Sequence, residues 1–263
     1  MSYALAISIV LAAALSAALT TIIIQRWIAF DIRRQHHEVG SVVFLQLGVV
    51  FAVLLAFVFS GTWNEYNDAA QAANLEAGAL HGAALLAATL PAADASAVLS
   101  AEQNYLQAVV SEEYPIIAKT RAEDTGADLK MQMLIRTALN VRTADPDQHD
   151  TKNAILSLLT QAHTQRGIRI YEGASGVPIA LWCVLIGLAL VLAFSVSFSA
   201  IQYASTAVAV AACFSAGIAS ILIVARLLDY PFEGALAQPP SDFIVLSGKV
   251  STLLGATGTG PAH

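Results

Sequence analysis

The sequence predicts an all-α integral membrane protein: four transmembrane helices, with a helical soluble insert between the second and the third. Three observations carry this expectation. Of 263 residues, 57% are hydrophobic and only 12% are charged, whereas a soluble domain is usually about a quarter charged. Three long stretches hold no charge at all. Between the second and third of them, residues 63–176 collect 8 Lys+Arg and 14 Asp+Glu. The same numbers exclude a disordered chain or a collagen and argue against an ordinary soluble enzyme. Two cysteines are too few for a disulfide scaffold or a four-thiolate zinc site. A net charge of -6 argues against nucleic acid as a partner.

The spans follow from the charge-free runs. Residues 1–25 hold no Asp, Glu, Lys, Arg or His, 26 residues between Glu38 and Glu65 are uncharged, and so are 53 between Glu172 and Arg226. A helix needs roughly 20 apolar residues to cross a bilayer core of about 30 Å. The first two runs give one span each, 1–24 and 41–62, joined by an Arg-rich loop over 25–40. The third run would be about 80 Å long as one helix, so it must turn back. The polar patch Ser199–Ser205 sets the turn, giving spans 177–198 and 205–226. The first span lacks the positive leader of a signal peptide and is too long for its apolar core, so it reads as a retained helix. Ser8, Ala12, Ser16 and Thr20 in the first span, and Ala207, Ala211, Ser215 and Ala219 in the fourth, repeat every four residues. Small residues at that spacing let another helix approach closely.

The insert, 63–176, opens on a stripe at heptad spacing: Trp63, Tyr66, Ala70, Ala73, Ala77, Leu80, Ala84 and Ala87. No Gly or Pro separates it from the second span, which predicts one continuous helix of about 75 Å from near Val42 to near Leu90. A second insert helix is expected from an Asp94 N-cap to Tyr114, where Pro115 interrupts it. A third is expected over 127–143, apolar at Leu129, Met133, Ile135 and Leu139. A fourth covers 150–172, with Ile155, Leu158, Leu159 and His163 on or beside one face. In the C-terminal segment, 227–263, Pro231, Pro239 and Pro240 argue against a long helix, and the Gly/Thr-rich end from Ser251 reads as disordered.

Few residues announce chemistry. Apart from Arg226, which closes the fourth, the spans hold no Asp, Glu, Lys, Arg or His, so proton relays and many ion-coupled transporters are disfavoured. A passive pore needs none of these, because apolar rings and small polar groups can gate and select. One face of the second span fits that idea: Gln46, Val50, Val53, Phe57, Ser60 and Asn64 would give a polar mouth, an apolar constriction and a polar exit. The bland alternative is that this face meets neighbouring helices. Arg226 and Asp229 are three apart and could pair at the end of the last span, as an interface anchor or as a gate element. His36 and His37 are adjacent and lack metal-pair spacing; His81, His149 and His163 are scattered. Cys183 and Cys213 lie inside spans and read as small apolar groups. No catalytic, metal or cofactor motif is present, so no enzyme activity is expected.

The stretch Arg33-Arg34-Gln35-His36-His37-Glu38-Val39-Gly40, the run Gly48–Phe57 and Trp63 resemble the signature of the bestrophin-like bacterial membrane family. Glu76-Ala77, Tyr105, Glu113-Tyr114-Pro115 and Tyr230-Pro231-Phe232-Glu233-Gly234 extend the resemblance over nearly the whole chain. The family pattern has Trp before the proline where this chain has Tyr114, an aromatic for an aromatic. The resemblance implies four spans, a helical insert, no enzyme activity and kinship to pentameric anion channels.

Two functions remain. One is a homo-oligomer in the bacterial inner membrane that forms a passive ion pathway, with anion preference and a pentamer implied by the resemblance. The alternative is a membrane-anchored sensing or interaction protein whose insert binds a partner. Arg26, Arg33 and Arg34 crowd the 25–40 loop, while Arg166, Arg169 and Arg226 on the insert side are spread over more chain. Positive-inside counting therefore places the insert outside, in the periplasm; the resemblance implies the opposite.

Overall fold

The computed structural model describes residues 1–35, 37–143 and 145–258, with the side chains of 37–39 and 258 left aside. The adjacent pair His36 and His37 therefore lies outside the described side chains. Among the described residues there is no strand. The helices are α1 (Tyr3–Trp27), α2 (Phe30–Gln35), α3 (His37–Ala87), α4 (Ala92–Ala108), a π turn (Val109–Glu113), α5 (Tyr114–Thr120), α6 (Thr125–Leu139), α7 (Pro146–Ala174), α8 (Ile179–Ser197), α9 (Ala204–Leu228) and α10 (Ser241–Gly258). Four of them, α1, α3, α8 and α9, are long and apolar enough to cross a membrane. The chain divides into two compact units: Met1–Asn64 with Gly176–Asp229, and Glu65–Ser175 with the residues from Tyr230 on.

In the first unit, α1 packs along α9. The predicted small ladder of α9 is the contact face: Ala207, Ala211 and Ser215 are buried. The ladder of α1 is not. Ser8, Ala12 and Ser16 are exposed, and Ala6, Ala17, Thr21 and Ile24 are buried instead. The side chains of Ser8, Ser16 and Thr20 donate to carbonyls of their own helix, which satisfies them where no water is available. A second contact buries Phe51, Leu55 and Val58 of α3 with Leu185, Ala189 and Leu192 of α8. Both sets step by four and then three, so each presents one face to the other. The turn between α8 and α9 falls at 198–203, as the polar patch predicts, and Arg33 ties α2 to it: its Nη1 donates to the Ser199 carbonyl at 2.8 Å.

In the second unit, the buried stripe of α3 starts later than expected. Trp63 and Ala70 are exposed, but the predicted positions from Ala73 on, Ala73, Ala77, Leu80, Ala84 and Ala87, are all buried, joined by Ala69, Glu76 and Ala83. Small side chains there let α4 and α7 close on it; Gly82 meets Leu158 of α7, whose methyl would lie 3.1 Å from an added Cβ. Helix α4 begins at Ala92 rather than after Asp94, with Asp94 in its first turn. Pro115 does not end the structure either. The π turn widens the helix just before it, and Pro115 sits in the first turn of α5, where a missing N–H costs nothing. On α6 most of the predicted apolar face is turned out: Leu129, Met133 and Leu139 are exposed and only Ile135 packs against the core, while Ala127, Met131, Leu134 and Ala138 are buried.

The C-terminal segment is a further correction. Pro239 and Pro240 precede a helix instead of forbidding one, since a proline ahead of the first turn disturbs no intrahelical bond. Helix α10 follows, with Phe243, Leu246 and Val250 buried in the core of the second unit. The disordered end expected from Ser251 is helical as far as Gly258; the residues after it lie outside the described ones. The link before α10 is pinned: the Tyr66 hydroxyl donates to the Leu236 carbonyl at 3.0 Å, and Gln238 donates to the Tyr66 carbonyl.

Candidate functional site

The six residues predicted to line a pore share one face of α3, and all are exposed in the single chain. Val53 is 66% exposed and Phe57 75%, so Phe57 is not packed between helices of its own chain. The opposite face of the same segment, Phe51, Leu55, Val58 and Thr62, is buried. Gln46 and Ser60 bound an apolar stretch of Val50, Val53 and Phe57, with Asn64 one turn beyond.

Arg226 and Asp229 do meet: Nη1 lies 3.7 Å from Oδ2. Asp229 is 1% exposed and caps the end of α9. It accepts from the Val177 backbone N–H at 2.7 Å and from the Trp182 indole at 3.3 Å. Its carboxylate thereby ties the start of α8 to the end of α9.

Sequence reasoning missed the strongest polar assembly. It took Arg166 and Arg169 as cations flanking a span. Both are buried, with Glu76 and Glu113, in the core of the second unit. Glu113 accepts from Arg166 Nη2 at 2.6 Å through one oxygen and from Arg169 Nη2 at 2.6 Å through the other. Arg169 Nε donates to Glu76 at 2.8 Å, and the Tyr105 hydroxyl donates to the same carboxylate. Arg166 also reaches Glu123 and Asp128 nearer the surface. Tyr114 and Phe243 each set a ring 5.2 Å from the Arg169 guanidinium carbon, a cation–π arrangement strengthened by desolvation. Burial disfavours charge on Arg169, but Glu76 and Glu113 outweigh it and hold its pKa above the usual value.

Local structure explains how Glu113 gets there. It closes the π turn, whose extra residue re-registers the helix before Pro115. Arg121, at the end of α5, takes a left-handed conformation with φ 54°, at a cost of roughly 1–2 kcal/mol. It lies 3.4 Å over the Tyr230 ring and pairs with Glu233 at 2.7 Å. Phe232 meets Tyr114 edge-on at 5.2 Å and rests on Gly173, where an added Cβ would come within 2.8 Å of its ring. Thus Glu76, Tyr105, the Glu113–Pro115 motif and the Tyr230–Gly234 motif converge on one assembly. A legible signal existed in α7. Its buried positions, Ile155, Leu159, Ala162, Arg166, Arg169 and Gly173, step by four and three throughout, so the arginines continue an apolar stripe.

Glu102 lies on the buried face of α4 without such support. Neither carboxylate oxygen has a hydrogen-bond partner among the described residues, and burial alone pushes its pKa from 4.5 to about 8. The folded chain then holds a proton that the unfolded chain gives up above pH 4.5. This contribution to stability is complete below that pH and is lost as pH rises toward 8.

Two outcomes follow. Arg169→Met leaves Glu76 and Glu113 buried without their shared cation and should destabilise the second unit by about 3–5 kcal/mol, read as a fall in the thermal midpoint of the detergent-purified protein. Glu102→Gln should raise that midpoint more at pH 8 than at pH 5; an equal effect at both would mean Glu102 does not titrate in this interval.

The sequence profile of the Bestrophin-like domain matches residues 11–243. No curated protein matches the chain. Among solved structures, two singly substituted forms of a bacterial Bestrophin homolog from Klebsiella pneumoniae are similar in fold. One has a TM-score of 0.77 at 15% identity, covering 95% of this chain and 98% of that one. The other has a TM-score of 0.74 at 15% identity, covering 92% and 98%. A further structure described as a membrane protein has a TM-score of 0.71 at 16% identity, covering 97% and 99%. With the profile spanning most of its length and four apolar helices of membrane-crossing size, this chain belongs to the bestrophin-like family of membrane proteins.

Proposed function

We propose that the chain assembles as a homo-oligomer in the bacterial inner membrane and forms a passive ion pathway along α3. The observation that carries this reading is the two-sidedness of one apolar helix. One face of α3 is buried within the subunit. The other presents Gln46, Val50, Val53, Phe57, Ser60 and Asn64, all exposed and in polar–apolar–polar order. Around a symmetry axis, Val50, Val53 and Phe57 form an apolar constriction that excludes water and gates by dewetting. The absence of charge on this face is compatible with a passive route and gives a coupled transporter nothing to work with. Anion preference and a pentameric ring are drawn from the family resemblance, and no residue of this stripe selects an ion by charge.

The second unit supports a second reading, a soluble insert that recruits a partner, because α6 exposes Leu129, Met133 and Leu139. Oligomer symmetry separates the two: a ring with an axial opening supports the pathway, and a dimer without one supports the recruiting insert.

Phe57→Ala should widen the constriction and raise leak conductance in reconstituted bilayers. Leu45→Ala, also exposed but about 100° round the helix from Gln46, should change it much less. Equal conductance in the two variants would remove α3 from the pore. Arginine density near the span ends places the 25–40 loop in the cytoplasm and the insert outside. A cysteine introduced at Gln35 should then be protected from an impermeant thiol reagent in intact cells, and one at Asp147 should be labelled; the reverse pattern would turn the protein over in the membrane.

A further inference from the structure

We infer that the first unit carries a phospholipid site in the groove formed by α1, α8 and α9, with the acyl chain along the groove and the headgroup phosphate on Arg226. The groove encloses about 740 Å³. Its walls are apolar side chains of α1 and α8, among them Ala13, Leu190 and Ala193, and its floor is α9 from Ser215 to Arg226. That floor is about 16 Å long at 1.5 Å per residue, close to half of a bilayer core of about 30 Å, so it fits one leaflet.

Charge says which occupant fits. Arg226 is the one charged side chain in the lining, and it stands at the end of the last apolar helix with its side chain 38% exposed. Trp182 lines the same end, and its indole is held by Asp229. Tryptophan and arginine together mark the depth of lipid headgroups, and guanidinium is the side chain best matched to a phosphate. An apolar shaft one leaflet deep, ending at headgroup level in an arginine that Asp229 holds at 3.7 Å and that still keeps 38% of its side chain exposed, is complementary to a phosphodiester carrying a fatty chain. The face proposed for the pore lies on α3, which contributes nothing to this lining, so the site stands whether or not α3 conducts.

The test is retention of phosphatidylglycerol by the full-length protein, counted per chain by native mass spectrometry after detergent exchange, with folding checked by circular dichroism. The wild type should keep about one lipid per chain. Ala193→Phe fills the groove and should reduce retention several-fold; Leu190→Trp, at a site already 66% exposed, does the same should the first variant not fold. Arg226→Gln should also reduce it several-fold. Gly187→Phe, where an added Cβ meets open space, should retain lipid like the wild type. Undiminished retention in the filled variants overturns the site. Loss on filling but not in Arg226→Gln overturns the phosphate contact. A changed number of chains per oligomer on filling, with lipid retention intact, shows that a second copy covers the groove.

Discussion

A guanidinium with no solvent contact is tolerable only when fixed partners replace the water it has lost. Arg169 meets that condition through Nε and Nη2 in the second unit, between Glu76 of α3 and Glu113 of the π turn and under the rings of Tyr114 and Phe243, while its Nη1 has no hydrogen-bond partner among the described residues. Four stretches of chain distant in sequence must be in place at once for this to hold. Removing Arg169, Glu76 or Glu113 would leave a buried charge unmatched, and such a loss is far more costly than the pair is favourable. The assembly therefore acts as a register pin. It sets how α7 lies on α3, forces the π turn that delivers Glu113, and draws α10 in through Phe243. Glu102 shows the contrast: a buried carboxyl with no hydrogen-bond partner among the described residues is pushed toward its neutral form by burial instead.

The first unit answers to a different constraint. In hydrocarbon there is no water to satisfy a polar group, and no hydrophobic drive between helices. Hydroxyls such as those of Ser8, Thr21, Ser195 and Ser220 turn back on their own helices, and its closest packing uses the small residues of α9. Its polar ties sit at helix ends: Arg33 on the α8–α9 turn, and Asp229 on the first residues before α8 and on Trp182. Helix α3 is then left with one face used and one unused. That asymmetry is the physical root of the proposed pathway, since an apolar helix face left exposed by its own subunit must meet lipid, another subunit or an axial space.

Sequence alone determined much of this protein. Charge-free runs of sufficient length located the four long apolar helices, because a bilayer core sets a minimum length and excludes charge. The polar patch before Ser205 located the turn, and the absence of Gly or Pro between Thr62 and Ala77 predicted the long α3. The stripe from Gln46 to Asn64 was legible as a face, since helical period is a local property. Tertiary structure decided the rest. Which small ladder was used depended on which helix came alongside, so the ladder of α9 packs and that of α1 does not. Which face of α6 was buried depended on α4 and α7, and so Met131 replaced Met133 in the core. Arg166 and Arg169 looked like surface cations because burial of a charge depends on partners 53 to 93 residues away. Periodicity specifies a face; only the packed partner determines whether that face is core, interface or solvent.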